Sequence, residues 1–120
     1  ENIASKYWPG ALTMVIPCSK NKNQIITSRD LTLGLRIPNS FMAQSLIKET
    51  GPLLTSSANI SGLTGSMTAE GISKDFPSVD ILGPFPWEKG SGKASTIISW
   101  EKNRKWRLIR EGEVSVKELY

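Results

Sequence analysis

Residues 32–56 hold the pattern that most restricts the fold of this chain, because a helical segment lies between two short apolar segments. Thr32–Ile37 alternates apolar residues with small or polar ones, which is typical of a half-buried strand. Phe41–Thr50 spaces its apolar side chains as a helix does, and Gly51 suits the left-handed position that ends a helix. Leu53–Ser56 resumes as a strand. This order predicts a βαβ unit with two parallel strands, and therefore an α/β fold.

The remaining segments predict a mixed sheet with helices beside it. Further strands are predicted at Leu12–Pro17, Val79–Leu82, Thr96–Trp100 and Trp106–Ile109, the last two joined as a hairpin. Asn39 and Ser40 are candidate N-caps for the helix from Phe41, and Thr68 is one for a short helix that ends near Asp75. Ser115 opens a final helical turn. No repeat or low-complexity tract divides the 120 residues, so we expect one domain or a large part of one.

Composition excludes several kinds of chemistry. The chain contains no histidine, which excludes a Ser-His-Asp triad, a histidine general base and histidine-ligated zinc within it. Cys18 is the only cysteine, so an internal disulfide cannot form, and this favours a reducing cytoplasm. No apolar run approaches the roughly 18 residues that span a bilayer. The net charge of +4 favours anionic ligands such as nucleotides or RNA, although an ordinary protein surface explains it equally well.

Three groups of polar residues are candidates for a binding site. The loop Thr55–Gly62 is rich in hydroxyls and follows an apolar segment, and such loops at strand ends bind phosphates. The alternative interpretation is a turn whose Ser and Asn side chains hydrogen-bond to its own backbone. Thr32 and Arg36 share one face of their predicted strand, where the guanidinium can clamp a carboxylate or phosphate or else simply face solvent. Ser95-Thr96 and Arg110, near the ends of two predicted strands, form the third group. The alternative interpretation is that they are ordinary strand-edge hydroxyls and a surface cation.

The densest positive charge of the chain surrounds Trp106. Its cations are Lys102, Arg104, Lys105, Arg107 and Arg110. An aromatic side chain among cations is typical of a surface that stacks on RNA bases. The alternative is a core or rim tryptophan beside a solvated strand edge.

Five ordered motifs resemble the YrdC-like family, the threonylcarbamoyl-AMP synthases that start threonylcarbamoyladenosine formation in tRNA. They are Trp8–Thr13 (WPGALT), Leu35–Pro38 (LRIP), Ser57–Gly62 (SANISG), Ser95–Ile98 (STII) and Leu108–Arg110 (LIR). Their order and spacing are similar to the family's along the whole chain. The resemblance implies an α/β fold of the YrdC/RibB type, in which a twisted, open, mixed sheet with flanking helices surrounds a concave, positively charged cavity.

The same resemblance implies a nucleotidyltransferase that forms threonylcarbamoyl-AMP and pyrophosphate from ATP, L-threonine and bicarbonate. Mg²⁺ would be held only through the ATP phosphates. Carried over motif by motif, L-threonine contacts fall at Arg36, Thr55 and Ser95, and nucleotide contacts fall at Thr32, Ser57, Asn59, Ser66 and Arg110. The sequence itself offers no strong general base and no evident protein metal ligand, so the chemistry would depend on positioning and electrostatic stabilisation.

The chain departs from the family in ways that raise an alternative. The family's N-terminal Thr-rich turn and Lys/Arg pair have no counterpart in this sequence, so residues 1–120 are expected to form a partial domain that lacks its N-terminal part and has little activity alone. Ala11 and Glu111 stand where the family has proline. The alternative is a noncatalytic regulatory relative that binds tRNA or double-stranded RNA. Both hypotheses expect a cytoplasmic protein with no membrane partner.

Overall fold

The computed structural model describes residues 3–18 and 31–115, which form a four-stranded sheet with three helices. In chain order the elements are α1 (Ile3–Tyr7), β1 (Leu12–Pro17), β2 (Thr32–Leu35), α2 (Phe41–Thr50), α3 (Ala69–Asp75), β3 (Thr96–Trp100) and β4 (Trp106–Arg110). The strand order is β2-β1-β3-β4. β1 pairs antiparallel with β2 and parallel with β3, and β3 pairs antiparallel with β4. The predicted α/β fold with an open mixed sheet is therefore confirmed.

The helix ends form as their capping residues predict. The Ser40 hydroxyl accepts a hydrogen bond from the Ala43 N–H at the start of α2, and the Thr68 hydroxyl accepts one from the Gly71 N–H in α3. Gly51 ends α2 with a φ of 77°, a conformation that glycine adopts without the steric cost that a Cβ brings.

Two predicted strands are wrong. Leu53–Ser56 and Val79–Leu82 both lie in irregular chain, so the predicted βαβ unit does not form. The parallel partner of β1 is instead β3, which lies much later in the chain. Leu53 and Leu54 are exposed, and a pair of apolar residues between Gly51-Pro52 and a run of hydroxyls offers too little surface to hold a strand in place. The turn predicted after Ser115 lies outside the described residues.

One face of the sheet carries the core. Leu12, Met14 and Ile98 are buried on it, and α1, Trp106 and Leu108 pack against them. The side chains of a strand alternate between faces, so the neighbours of these residues in sequence lie on the opposite face. That opposite face carries Thr13 and other polar side chains, as described below.

The last described residues are hydrogen-bonded to the start of β3. The fully buried Thr96 hydroxyl donates to the Val114 carbonyl at 2.6 Å and accepts from the Gly112 N–H at 2.9 Å. Gly112 lies so close to the chain that an added Cβ would stand 2.7 Å from the Ser95 carbonyl carbon. This close approach fixes the backbone that precedes β3. Along the described part of the chain, no helix is both long and apolar enough to span a membrane.

Candidate functional site

We define the polar face as the sheet surface that carries Thr13, Arg36, Ser95 and Arg110, on the side opposite the core. The β1–β2 register pairs Met14 with Leu35, so Thr13 lies beside Arg36 one step beyond the ladder. Gly34 adds no side chain to this surface. An added Cβ there would be in ordinary contact with the Thr13 Cγ2, at 3.7 Å. The sequence predicts that Thr32 and Arg36 share one face of this strand, and the register agrees.

Ser95 joins the polar face from the third strand. It lies one residue before β3, and its Oγ is 2.8 Å from the Oγ1 of Thr13 on β1. Both hydroxyls are half-buried, whereas Thr96 next in sequence is fully buried in the core. Thr13 therefore stands between Arg36 and Ser95, two of the residues that the sequence predicts as L-threonine contacts.

Arg110 reaches Ser95 from β4. Its Nε and Nη2 donate to the Ser95 carbonyl at 3.2 and 2.8 Å, and Nη2 lies 3.4 Å from the Ser95 Oγ. Plain alternation along β4 would place Arg110 on the core side with Leu108. A bulge between Ile97 and Ile98 instead places Arg110 opposite Ile97, on the polar face.

Arg36 is anchored at one nitrogen only. Its Nε donates to the Gly10 carbonyl at 2.9 Å, and among the described residues this is the only hydrogen bond of its guanidinium. The side chain is exposed. The two terminal nitrogens therefore point a bidentate donor pair toward solvent, which suits a carboxylate.

Thr32 lies on the same face at the other end of β2. It pairs with Pro17, four residues from Arg36, and this spacing corresponds to roughly 13 Å along a strand. One amino acid cannot span both positions. The separation is compatible with the predicted division in which Arg36 contacts L-threonine and Thr32 contacts the nucleotide.

The four remaining predicted residues lie in the segment between α2 and α3. They are Thr55, Ser57, Asn59 and Ser66. The Asn59 Nδ2 donates to the carbonyls of Ile60 and Leu63, so this side chain shapes the loop. Ser66 contacts Thr68 at the start of α3. Within the described ranges, no hydrogen bond joins this loop to Arg36, Ser95 or Arg110.

A groove of about 810 Å³ between α2, α3 and residues 80–90 competes with the polar face as a binding site. Its walls are mostly apolar, with Phe41 and Trp87 among them, and its charged lining residues are Asp80, Glu88 and Lys89. None of the predicted site residues lines it. A lining with more acidic than basic groups disfavours ATP and carboxylates, whereas the polar face presents Arg36 and Arg110.

The cationic cluster around Trp106 forms the β3–β4 hairpin. Trp106 packs against the core and meets Trp100 edge to face, with ring centroids 5.0 Å apart. Arg107 pairs with Glu101 at 2.8 Å. These contacts favour the rim-tryptophan interpretation over a base-stacking surface.

Thr13 is the residue of the polar face that the sequence analysis did not single out. It ends the WPGALT motif, but that motif gave no role to its hydroxyl. The available signal was its place in β1 between the buried Leu12 and Met14, which puts its side chain on the opposite face of the sheet.

Comparisons with known proteins place this geometry in context. A family model described as Sua5/yciO/yrdC, telomere recombination, matches residues 1–112. Threonylcarbamoyl-AMP synthase of Bacillus subtilis is 32% identical over 99% of this chain, and that of Pyrococcus abyssi is 36% identical over 99%. The chain spans 35% of the length of each of these relatives.

Solved structures agree with the sequence matches. A variant of P. abyssi Sua5 superposes with a TM-score of 0.81, and P. abyssi Sua5 complexed with L-threonine superposes with a TM-score of 0.80, both at 30% identity. Each covers 98% of this chain, which in turn covers 36% and 34% of those structures. The open mixed sheet with flanking helices is thus shared with these proteins.

Proposed function

The chain belongs to the Sua5/yciO/yrdC family, and from this premise we propose that it is part of an enzyme that makes threonylcarbamoyl-AMP from ATP, L-threonine and bicarbonate. The observation that carries the proposal is the convergence of Arg36, Ser95 and Arg110 on one open sheet face. The L-threonine complex of a structural neighbour supports the choice of amino acid.

In this proposal L-threonine lies across β1, between Arg36 and Ser95. The two unused nitrogens of Arg36 form a bidentate pair with the carboxylate, and the Ser95 hydroxyl donates to one of its oxygens. Thr55 adds a contact from the loop. Such anchoring leaves the threonine amine directed away from the sheet, where it can react.

ATP occupies the neighbouring space. The Arg110 Nη1 and the hydroxyls of Thr32, Ser57 and Ser66 are the proposed nucleotide contacts, with Asn59 holding the loop that carries Ser57. The described residues contain no group of three acidic or sulfur side chains that could hold a metal ion. We propose that Mg²⁺ reaches the site on the ATP phosphates, whose charge it would partly neutralise.

The reaction needs two bond-forming steps. The threonine amine attacks the carbon of bicarbonate, water leaves, and a carbamate forms. A carbamate oxygen then attacks the ATP α-phosphorus, the bond to the β-phosphate oxygen breaks, and pyrophosphate leaves. The described side chains include arginines and hydroxyls that can stabilise the developing charge, so their proposed contribution is orientation and electrostatic stabilisation.

Substrate-dependent pyrophosphate release by the full-length protein tests this function. We expect release only when ATP, L-threonine and bicarbonate are all present, with threonylcarbamoyl-AMP identified by mass spectrometry. Arg110→Ala should lower the rate, whereas Arg107→Ala, which removes a cation paired with Glu101, should not. Pyrophosphate release that does not depend on L-threonine would contradict the proposal.

The RNA partner and the cytoplasmic location stay predictions. A product used for tRNA modification makes tRNA a partner of the later step, in the cytoplasm. The noncatalytic RNA-binding alternative is not favoured, because the curated relatives are threonylcarbamoyl-AMP synthases. The tryptophan that suggested base stacking also packs against the core.

A further inference from the structure

We propose that Thr13 is a positioning residue that holds the Ser95 hydroxyl as a hydrogen-bond donor toward an anionic oxygen of the ligand. The inference rests on the proposed function, because it assumes that Ser95 contacts the carboxylate of L-threonine. It assigns a role to a residue that makes no proposed contact with the substrate itself.

The hydrogen-bonding capacity of Ser95 carries the argument. A serine hydroxyl has one proton to donate and two lone pairs that accept. The Arg110 Nη2, 3.4 Å away, can only donate, so it uses one lone pair. If Thr13 donates across its 2.8 Å contact, it uses the second lone pair. The proton of Ser95 is then left for the ligand, which as a carboxylate can only accept.

The hydrogen bonds that the Ser95 hydroxyl accepts from Arg110 and Thr13 also make it a stronger donor. Hydrogen bonds in a chain polarise one another, and a hydroxyl that accepts from a guanidinium becomes more acidic in its remaining O–H bond. The opposite orientation, with Ser95 donating to Thr13, would turn a lone pair of Ser95 toward the ligand and repel a carboxylate. An anionic ligand at Ser95 therefore selects the orientation in which Thr13 donates.

The Thr13 side chain is oriented as this role needs. A β-branched residue in a strand has a restricted χ1 angle. The Thr13 Cγ2 is directed toward Gly34, where an added Cβ would stand 3.7 Å from it, while Oγ1 is directed to Ser95. The methyl group thus faces Gly34 on β2, and the hydroxyl faces Ser95 at the start of β3.

Thr13→Val and Thr13→Ser in the full-length protein test the inference. Valine keeps the shape and removes the donor, so we expect affinity for L-threonine to fall about tenfold. Serine keeps the donor and should stay within about twofold of wild type. Affinity for ATP should change in neither variant. Ser99→Ala, which removes another half-buried hydroxyl from the same face, is the matched control and should bind L-threonine as wild type does.

Two readouts separate positioning from a purely structural effect. Thr13→Val should have no further effect on L-threonine affinity when Ser95 is already alanine, because the interaction it supports is then absent. It should also leave the affinity for L-threoninol, which lacks the carboxylate, unchanged. Titration calorimetry measures both, and thermal melting confirms that each variant is folded.

The outcomes distinguish this inference from the proposed function. If the wild-type protein does not bind L-threonine, the proposed function fails and the inference fails with it. If the wild type binds but Thr13→Val binds equally well, only the inference is overturned. Equal losses for the valine and serine variants, or an undiminished loss in the Ser95→Ala background, would also overturn it.

Discussion

Arg36 has one guanidinium nitrogen engaged with the Gly10 carbonyl and two directed to solvent. This arrangement orients the side chain before a ligand arrives, so less conformational entropy is lost on binding. We expect Arg36→Ala in the full-length protein to weaken L-threonine binding by about 1.5–3 kcal/mol, roughly 10- to 150-fold, because a charge-assisted bidentate contact is lost. ATP affinity should change far less. Isothermal titration with each ligand measures the two effects separately.

Arg107→Ala is the matched control for this prediction. Arg107 is also an exposed arginine, but it pairs with Glu101 in the hairpin and contacts none of the polar-face residues among its described partners. Its removal should alter neither affinity, since its guanidinium is engaged by Glu101 and not by the proposed site. An Arg36→Ala variant with wild-type L-threonine affinity would remove Arg36 from the proposed site.

At the scale of single elements, β3 depends on the Thr96 hydroxyl. Thr96 is fully buried and links the strand to the Gly112 N–H and the Val114 carbonyl. Thr96→Val should lower the free energy of unfolding by about 1–3 kcal/mol, because both backbone groups lose a partner inside the protein. Urea denaturation followed by tryptophan fluorescence measures this loss.

Thr96→Ser retains the hydroxyl and serves as the control. It should cost less than the valine substitution, although it removes a buried methyl group whose loss costs about 1 kcal/mol. A valine variant as stable as wild type would mean that water replaces the two hydrogen bonds. Because Ser95 precedes Thr96, the valine variant should also lower L-threonine affinity.

Local signals were sufficient for some elements and insufficient for others. The caps at Ser40, Gly51 and Thr68 act within one turn of chain, and all three form as predicted. Leu53–Ser56 carries an equally local signal for a strand but has no strand beside it. A strand is stable only when paired, so its formation depends on a partner that local sequence does not specify.

At the scale of the whole molecule, the chain buries little apolar surface. Among the described residues, the buried hydrophobic side chains are Leu12, Met14, Ile72 and Ile98, while fourteen large hydrophobic residues are exposed. The polar face and the segment between α2 and α3 both lie open.

We therefore expect the 120-residue chain, expressed by itself, to bind the dye ANS and to unfold with a free energy below about 5 kcal/mol. Leu54→Ser, at a residue that is 65% exposed, should reduce ANS fluorescence while changing stability by less than about 0.5 kcal/mol. Leu12→Ala, in the core, should lower stability by about 2–5 kcal/mol. A cooperative unfolding transition with a free energy well above about 5 kcal/mol, and no ANS binding, would contradict this prediction.

Features that depend on neighbouring residues could be predicted from the sequence. The alternation in Leu12–Pro17 and Thr96–Trp100, the hairpin after β3 and the helix caps are local, because propensity and capping act over a few residues. The five ordered motifs identified the family, which the comparisons confirm. These motifs also indicated Arg36, Ser95 and Arg110, three of the residues on the polar face.

Features that depend on distant partners became visible only in the folded chain. In the fold, β3 is the parallel neighbour of β1, and a bulge in the β3–β4 pairing turns Arg110 to the polar face. The fold also brings Thr13 and Ser95, 82 residues apart in sequence, to 2.8 Å. Strand pairing is set by the burial of a shared core face, which is a property of all the strands together, so no window of the sequence contains it.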